Sequence, residues 1–313
     1  MRPEDASATP PPAWLRGLFA VLPTPMAADG SVDPDSLDRV VDHYLDGGAR
    51  GLVPASLAGE GDLLDDAERR LVIQRVAARA GARAPLVVAV LADEIGAALE
   101  QARVAAACGA RGLLVKPPRG GARATFAHVG AIAHAHRLPI VLLDHPGFGG
   151  ALPVSLVLAL VDAVPEVCGI KVEDEPAAEK MTRLAVLLRR RLRLFGGRGA
   201  VDCLRELEHG ADGFFTGHPH PGHVVAAIER FRRGDHAGAA AAQASVLATA
   251  AREREHPAAM IAQRKAILQE LGVIRDAAVR RRPGVRTERA CRAFLAWAGP
   301  NSLADAGRSI LAP

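Results

Sequence analysis

Cys168-Gly169-Ile170-Lys171-Val172-Glu173-Asp174 is a short apolar run with a lysine at its centre and two carboxylates at its end. It has the composition of a β-strand, and strand side chains alternate between two faces. Gly169, Lys171 and Glu173 therefore share one face, and Ile170 and Val172 share the other. Two residues along a strand span roughly 6.6 Å, so an amine and a carboxylate stand one above the other. Burial penalises the charged form of a lysine, and a neutral amine is the form that adds to a ketone to make a Schiff base. An ordinary lysine at a strand end, paired with Glu173, would use the same letters. The context of this strand has to separate the two readings.

That context is a repeat. Gly17 to Leu22 reads as a first strand, stopped by Pro23-Thr24-Pro25, and Asp33 to Leu45 carries apolar residues at helical spacing up to Gly47-Gly48. Further strand-like runs fall at 51–55, 85–91, 112–116, 139–144, 168–173, 192–196 and 213–216. Helix-like stretches lie between and after them near 65–80, 95–108, 124–136, 154–163, 176–190, 199–208 and 222–233. Continuous apolar strands alternating with helices imply a parallel sheet covered by helices. Eight such units in roughly 220 residues predict an α/β fold of the (β/α)8 TIM-barrel type. The competing doubly wound sheet would carry a GxGxxG or GxxxxGK[ST] turn after an early strand, and no strand–helix turn here has one. After Gly234 the pattern becomes Ala-rich and helical over 235–255 and 257–271, with another helix over 287–298. The expected organisation is a loose tail over 1–13, a barrel over 14–234 and a helical C-terminal extension over 235–313.

The bulk properties exclude several classes. Of the 313 residues 49% are hydrophobic, enough for a sizeable core, and the net charge is +4. The basic residues are spread along the chain, and the runs Arg189-Arg190-Arg191 and Arg280-Arg281-Arg282 read as solvated helix ends. Only 4% of residues are aromatic, which argues against base stacking; no nucleic-acid partner is expected. Cys108, Cys168, Cys203 and Cys291 form no CxxC pair and read as reduced thiols of a cytoplasmic protein. Acidic residues and prolines occupy the N-terminus where a signal peptide needs an apolar core. No run of eighteen apolar residues occurs, so no membrane span is expected.

In a barrel, chemistry sits at the C-terminal ends of the strands. That rule selects Ala55-Ser56-Leu57-Ala58-Gly59-Glu60, Lys116-Pro117-Pro118, Leu143-Asp144-His145-Pro146-Gly147, Lys171 with Glu173, Gly196-Gly197 and Thr216-Gly217-His218. His145 lies beside the expected pocket and is a candidate substrate contact. His218-Pro219-His220-Pro221-Gly222-His223 has metal-ligand residue types, but no cysteine or nearby acid completes a set. It reads as the loop that enters the eighth helix, and no metal is expected. Asp65, Asp66 and Glu68 suit the first turn of a helix, where the dipole favours acids. Glu60 reads as a structural turn residue.

In their order and spacing these pieces resemble the dihydrodipicolinate synthase and N-acetylneuraminate lyase family of class I aldolases and dehydratases. The opening strand with Thr24-Pro25, Gly59-Glu60, Pro117-Pro118, Pro146-Gly147, the Gly-Ile-Lys strand and Gly210-Ala211-Asp212-Gly213 carry the resemblance, from about Gly17 to about Gly299. It implies that Lys171 forms an imine with the 2-oxo group of a pyruvate-like substrate, without organic cofactor or metal. It also implies substrate contacts from Ser56, Leu57, Ala58, Gly197 and Thr216, and assembly as a homodimer or homotetramer. Three departures stand out. Leu57 and Ala58 replace the family's carboxylate-binding threonines, Leu143 replaces its proton-relaying tyrosine, and Phe148 replaces an arginine. The only tyrosine, Tyr44, falls on the first helix.

Lys-Val-Glu, Asp144-His145-Pro146-Gly147, Gly196-Gly197, Thr216-Gly217 and Gly272-Val273-Ile274 are similar to the L-2-keto-3-deoxyarabonate dehydratase branch. That likeness implies acid–base work for Glu173, two residues after the lysine. The expected activity is dehydration of a small-molecule 2-keto-3-deoxy sugar acid. A pyruvate-dependent aldolase and a non-catalytic 2-oxo-acid-binding barrel are the alternatives.

Overall fold

The computed structural model describes residues 10–188, 191–255 and 260–280. Eight strands run in chain order as β1 Gly17–Val21, β2 Gly51–Val53, β3 Val87–Val90, β4 Gly112–Val115, β5 Ile140–Asp144, β6 Val167–Val172, β7 Arg193–Gly196 and β8 Gly213–Thr216. All their ladders are parallel, in the order β2-β1-β8-β7-β6-β5-β4-β3. A parallel bridge between Leu52 and Leu86 brings β2 to the edge of β3 and closes the ring. The helices between and after the strands are α1 Pro34–Asp46, α2 Asp66–Ala80, α3 Ile95–Ala107, α4 Gly121–His136, α5 Val154–Ala163, α6 Ala177–Leu188, α7 Cys203–Glu208 and α8 Pro221–Arg232. The fold is the expected TIM barrel.

Sequence chemistry accounts for the elements. Asp33 caps α1 by accepting from the backbone N–H groups of Asp35 and Ser36, and Pro34 begins the helix. Asp65 and Glu68 form a reciprocal capping box at α2. Along the strands, alternation divides the apolar residues into two cores. Ile170 and Val172 join the layer between sheet and helices. Phe19, Val141, Leu143, Phe195 and Phe215 fill the barrel interior. There Phe19 stacks on Phe215 at 4.8 Å, and Phe195 meets Phe215 edge-on at 4.8 Å.

One expected helix divides. The span 199–208 begins with a single tight turn over Arg198–Ala200, in which Arg198, Gly199 and Ala200 have φ of 48°, 72° and 61°. Continuous α-helix cannot pass through left-handed residues, so α7 starts only at Cys203. After α8, α9 His236–Glu255 and α10 Met260–Glu270 follow. Gln243 of α9 accepts from Leu204 N–H at 2.8 Å and donates to Val201 O at 2.8 Å, which fixes α9 to the first turn of α7 and the residues just before it. The helix expected over 287–298, Cys291, Arg189-Arg190, Arg281-Arg282 and most of the 1–13 tail lie outside the described residues. Among the described residues, no helix is long and apolar enough to cross a membrane.

Candidate active site

Lys171 lies between Leu143 of β5 and Phe195 of β7 in the sheet register. A Cβ added at Gly169 would meet Val141, Leu15 and Phe195, so this face of β6 looks into the barrel. Lys171 therefore projects inward near the C-terminal end, 9% exposed. Its Nζ is 2.8 Å from Glu173 Oε2. Glu173 lies just past the strand, where its N–H still donates to Asp144 O at 2.8 Å. Its other carboxylate oxygen accepts from Arg198 N–H at 2.8 Å. That bond explains the sharp turn after β7: the left-handed residues return the Arg198 amide to the carboxylate. Gly197 completes the seat, because a Cβ there would stand 2.2 Å from Glu173 Oε1. Burial by itself would raise the Glu173 pKa; Lys171, the Arg198 N–H and His145 outweigh it and hold the carboxyl below its ordinary range.

The turn after β2 forms the opposite wall. Ser56 is buried, and among the described residues its hydroxyl has no hydrogen-bond partner. The turn is held from three sides. Thr24 Oγ1 donates to Gly59 O at 2.7 Å, while the buried Arg69 of α2 donates to Ala55 O at 3.2 Å and also to Ala89 O. From the third side, Lys265 of α10 pairs with Glu60, both essentially without solvent exposure, and donates to Ala278 O at 2.7 Å. Gly59 passes so close to Leu22 that a Cβ would stand 2.2 Å from its carbonyl oxygen. Glu60 is thus a structural turn residue that ties the C-terminal helices to this wall.

Between these walls opens a cavity of about 420 Å³. Lys171, Glu173, Ser56, Leu57, Ala58 and His145 all line it. A buried amine in contact with a carboxylate, beside an unpaired hydroxyl, is suited to carbonyl addition and to moving protons at the carbons next to that carbonyl.

The sequence matches the Dihydrodipicolinate synthetase family over residues 14–295. The chain belongs to that family. It is similar to the 4-hydroxy-tetrahydrodipicolinate synthase of Sorangium cellulosum, 35% identical over 246 residues that cover 74% of this chain and 79% of that protein. It is 28% identical over 273 residues to the L-2-keto-3-deoxyarabonate dehydratase of Azospirillum brasilense, covering 83% and 85% of the two chains. Among solved structures, a dihydrodipicolinate synthase from Rhodopseudomonas palustris superposes with a TM-score of 0.82 at 27% identity, covering 90% of this chain and 96% of that one. Membership of the Dihydrodipicolinate synthetase family makes the chain an enzyme, a lyase or aldolase of the lysine Schiff-base type.

Two expected substrate contacts stand elsewhere. Gly197 does not line the cavity; it makes room for Glu173. Thr216 is also a correction. Phe215 takes the inward position on β8, so alternation turns the buried Thr216 toward the helix layer. Sequence reasoning missed Arg198, Leu91, Leu114, Met260 and Ile261, which line the cavity too. The Gly196-Gly197-Arg198-Gly199 run was a signal for Arg198. The α10 residues had none, because their approach to the barrel mouth depends on the buried Lys265–Glu60 pair.

Two buried carboxyls stand behind the site. Asp144 points away from the barrel interior to Lys180 at 2.7 Å and accepts from Leu152 N–H at 2.7 Å; burial still raises its pKa. Glu206 of α7 lies behind β7, where a Cβ on Gly196 would stand 1.9 Å from its Oε2. Burial, with Asp202 and Glu173 adding to it, pushes the Glu206 carboxyl up to about 8. The histidine-rich segment leads into α8: His220 stands at its N-cap, and its N–H donates to His218 Nδ1 at 3.2 Å.

Proposed function

We propose that Lys171 is the Schiff-base lysine and that Glu173 is the acid–base group of a 2-oxo-acid lyase, with dehydration as the principal reaction. The observation that carries this reading is the 2.8 Å contact between a buried amine and a buried carboxylate on the cavity wall. Glu173 is positioned to accept the proton that the Lys171 ammonium must lose before it attacks a ketone. Addition to C2 and loss of water give an iminium, which acidifies C3. Glu173 takes a C3 proton, and the resulting enamine expels the C4 hydroxyl, which leaves as water with a proton returned from Glu173. Hydrolysis then frees the lysine. Ser56 Oγ is the side-chain donor assigned to the substrate carboxylate, in the place where the family's threonines are Leu57 and Ala58.

Although 4-hydroxy-tetrahydrodipicolinate synthases match this chain at higher identity, the resemblance to the dehydratase of Azospirillum brasilense supports dehydration of a 2-keto-3-deoxy acid. So does Leu143, which leaves no tyrosine beside the imine. Aldol cleavage requires the proton of the C4 hydroxyl, and Glu173 is the group within reach for that as well. The test is borohydride reduction with pyruvate followed by intact mass and peptide mapping. The expected result is one reduced pyruvyl adduct on Lys171, lost in Lys171→Ala. Absence of an adduct with several 2-oxo acids overturns the assignment of Lys171 as the Schiff-base lysine.

We infer a homodimer or homotetramer as well, supported by exposed Val186 and Leu187 at the end of α6. A monomer in sedimentation velocity overturns that inference alone. Three free thiols among the described residues suit the reducing cytoplasm.

A further inference from the structure

When the C4–O bond breaks, charge develops on the departing oxygen, and a donor placed at that oxygen lowers the barrier. The strand register supplies one. Leu143 pairs with Lys171 and Asp144 with Val172, and the Glu173 N–H extends that ladder by donating to Asp144 O at 2.8 Å. The next residues in register are His145 and Glu173, on backbones about 5 Å apart. Leu143 faces the barrel interior and Asp144 turns away from it to Lys180, so alternation brings His145 inward again. His145 lines the cavity together with Lys171 and Glu173. Its backbone is held by an antiparallel bridge to Gly150, and its carbonyl accepts from Phe148 N–H at 3.0 Å. The ring is held as well. Gly147 N–H donates to Nδ1 at 2.9 Å, and Phe148 packs on the ring with centroids 4.7 Å apart. An imidazole that accepts at Nδ1 carries its proton on Nε2, so the second ring nitrogen is an N–H donor.

The direction of the substrate follows from the ring of strands. β2 and β6 stand opposite each other, four places apart among eight. With C1 at Ser56 after β2 and C2 on the Lys171 amine, C3 and C4 extend toward the β6 side. Two polar side chains of the cavity flank Glu173 there, His145 from β5 and Arg198 from the turn after β7. The Arg198 guanidinium reaches Glu175 and lies 3.7 Å from Asp202, so its side chain follows those carboxylates. His145 is left beside Glu173 for the C4 oxygen.

We propose that His145 is a catalytic residue whose Nε2–H donates to the C4 oxygen of the substrate and holds it while the C4–O bond breaks. The proposal rests on the imine reading above and deepens it by adding a third group to the same site. The chemistry balances without a further reactant. The C3 proton passes to Glu173 as the C3–H electrons form the enamine. The C4–O bond then breaks as C3=C4 forms, and the oxygen leaves as water with the proton from Glu173. His145 keeps its own proton throughout. Its part is to fix the leaving oxygen and to stabilise the charge that develops there.

The test uses the full chain and the borohydride trap. Isotope-labelled pyruvate is trapped first, which checks the imine. Two competitors that differ only in the C4 hydroxyl, 4-hydroxy-2-oxobutanoate and 2-oxobutanoate, are then titrated against the labelled adduct. A neutral hydrogen bond is worth about 2–10-fold in affinity, so the hydroxy acid is expected to halve the adduct at a concentration lower by about that factor. His145→Leu is expected to abolish the preference, and His145→Gln, whose amide can donate from the same place, to keep it. Consumption of 4-hydroxy-2-oxobutanoate is expected to fall by about 10²–10³-fold in His145→Leu and to be largely restored in His145→Gln. Pyruvate has no C4, so exchange of its methyl protons in deuterium oxide needs only Lys171 and Glu173. That exchange is expected to continue at the wild-type rate in both variants. A preference that is absent from the wild type, or that survives in His145→Leu, overturns the proposal; its loss in Arg198→Met alone moves the contact to Arg198. A His145→Gln variant as defective as His145→Leu overturns the donor at Nε2. Loss of methyl exchange in both variants also overturns the proposal, because the ring then acts through Glu173. A wild-type protein that gives no pyruvyl adduct overturns the imine reading instead, a separate result. The preference is a ratio within one protein sample, so it does not depend on the fraction folded.

Discussion

Replacing Gly197 by alanine perturbs the site through one methyl group, and the structure allows its effect to be worked out. The new Cβ would stand 2.2 Å from Glu173 Oε1 and 2.5 Å from both Cδ and Cγ. Ordinary contact begins near 3.4 Å, so the carboxylate must retreat by about 1 Å. That retreat breaks two contacts together, the 2.8 Å bond from Arg198 N–H and the 2.8 Å contact with Lys171. A misplacement of about 1 Å in a reacting group costs on the order of 10²-fold in rate. Gly197→Ala is therefore expected to lower kcat by about 10²-fold while the protein still forms the trapped pyruvyl adduct, because the amine itself is not displaced. Steady-state kinetics beside borohydride trapping reads both quantities, and circular dichroism confirms that the barrel is intact. A kcat within about threefold of wild type would refute the claim that the Glu173 position is set by Gly197 and needed for turnover.

Glu173→Gln keeps the shape and removes the base; turnover is expected to fall by about 10²–10⁴-fold with the adduct retained, and near-normal turnover would shift proton transfer to His145 or water. Lys265→Met leaves the Glu60 carboxylate buried without its cation, so a loss of about 3–5 kcal/mol in urea unfolding is expected, partly restored by adding Glu60→Gln. Glu206 has its folded pKa raised to about 8 from an ordinary 4.5. The folded state therefore binds more protons than the unfolded state between those values, and stability falls as pH rises from 4.5 to 8. Glu206→Gln removes that dependence and is expected to stabilise the protein by about 3 kcal/mol at pH 7 and by little near pH 4, read from unfolding midpoints at both values. Equal midpoint shifts at the two pH values would contradict a protonated Glu206.

Much of this molecule follows from local patterns. The eight strands are apolar runs bounded by glycine and proline, and continuous apolar runs require cover on both faces, so the barrel could be read without long-range information. The same period-two alternation put Lys171 and Glu173 on one face, because a one-residue step in a strand is a reversal of side-chain direction wherever the strand lies. The capping residues Asp33 and Asp65 marked helix starts for an equally local reason. Alternation could not place Thr216 by itself, since Phe214 and Phe215 are equally bulky and only the closed barrel shows that Phe215 faces inward.

What only the tertiary structure decided depends on residues far apart in the chain. The rotamer that brings the Lys171 amine to 2.8 Å from Glu173 is set by Gly197 and the Arg198 amide, which arrive from another strand through left-handed backbone. The Glu60–Lys265 pair joins residues more than two hundred positions apart and brings Met260 and Ile261 to the mouth of the barrel. No spacing rule relates a turn after the second strand to a helix after the eighth. Local sequence determined which side of each strand faces inward; the closing of the barrel and the docking of the last helix determined what those faces meet.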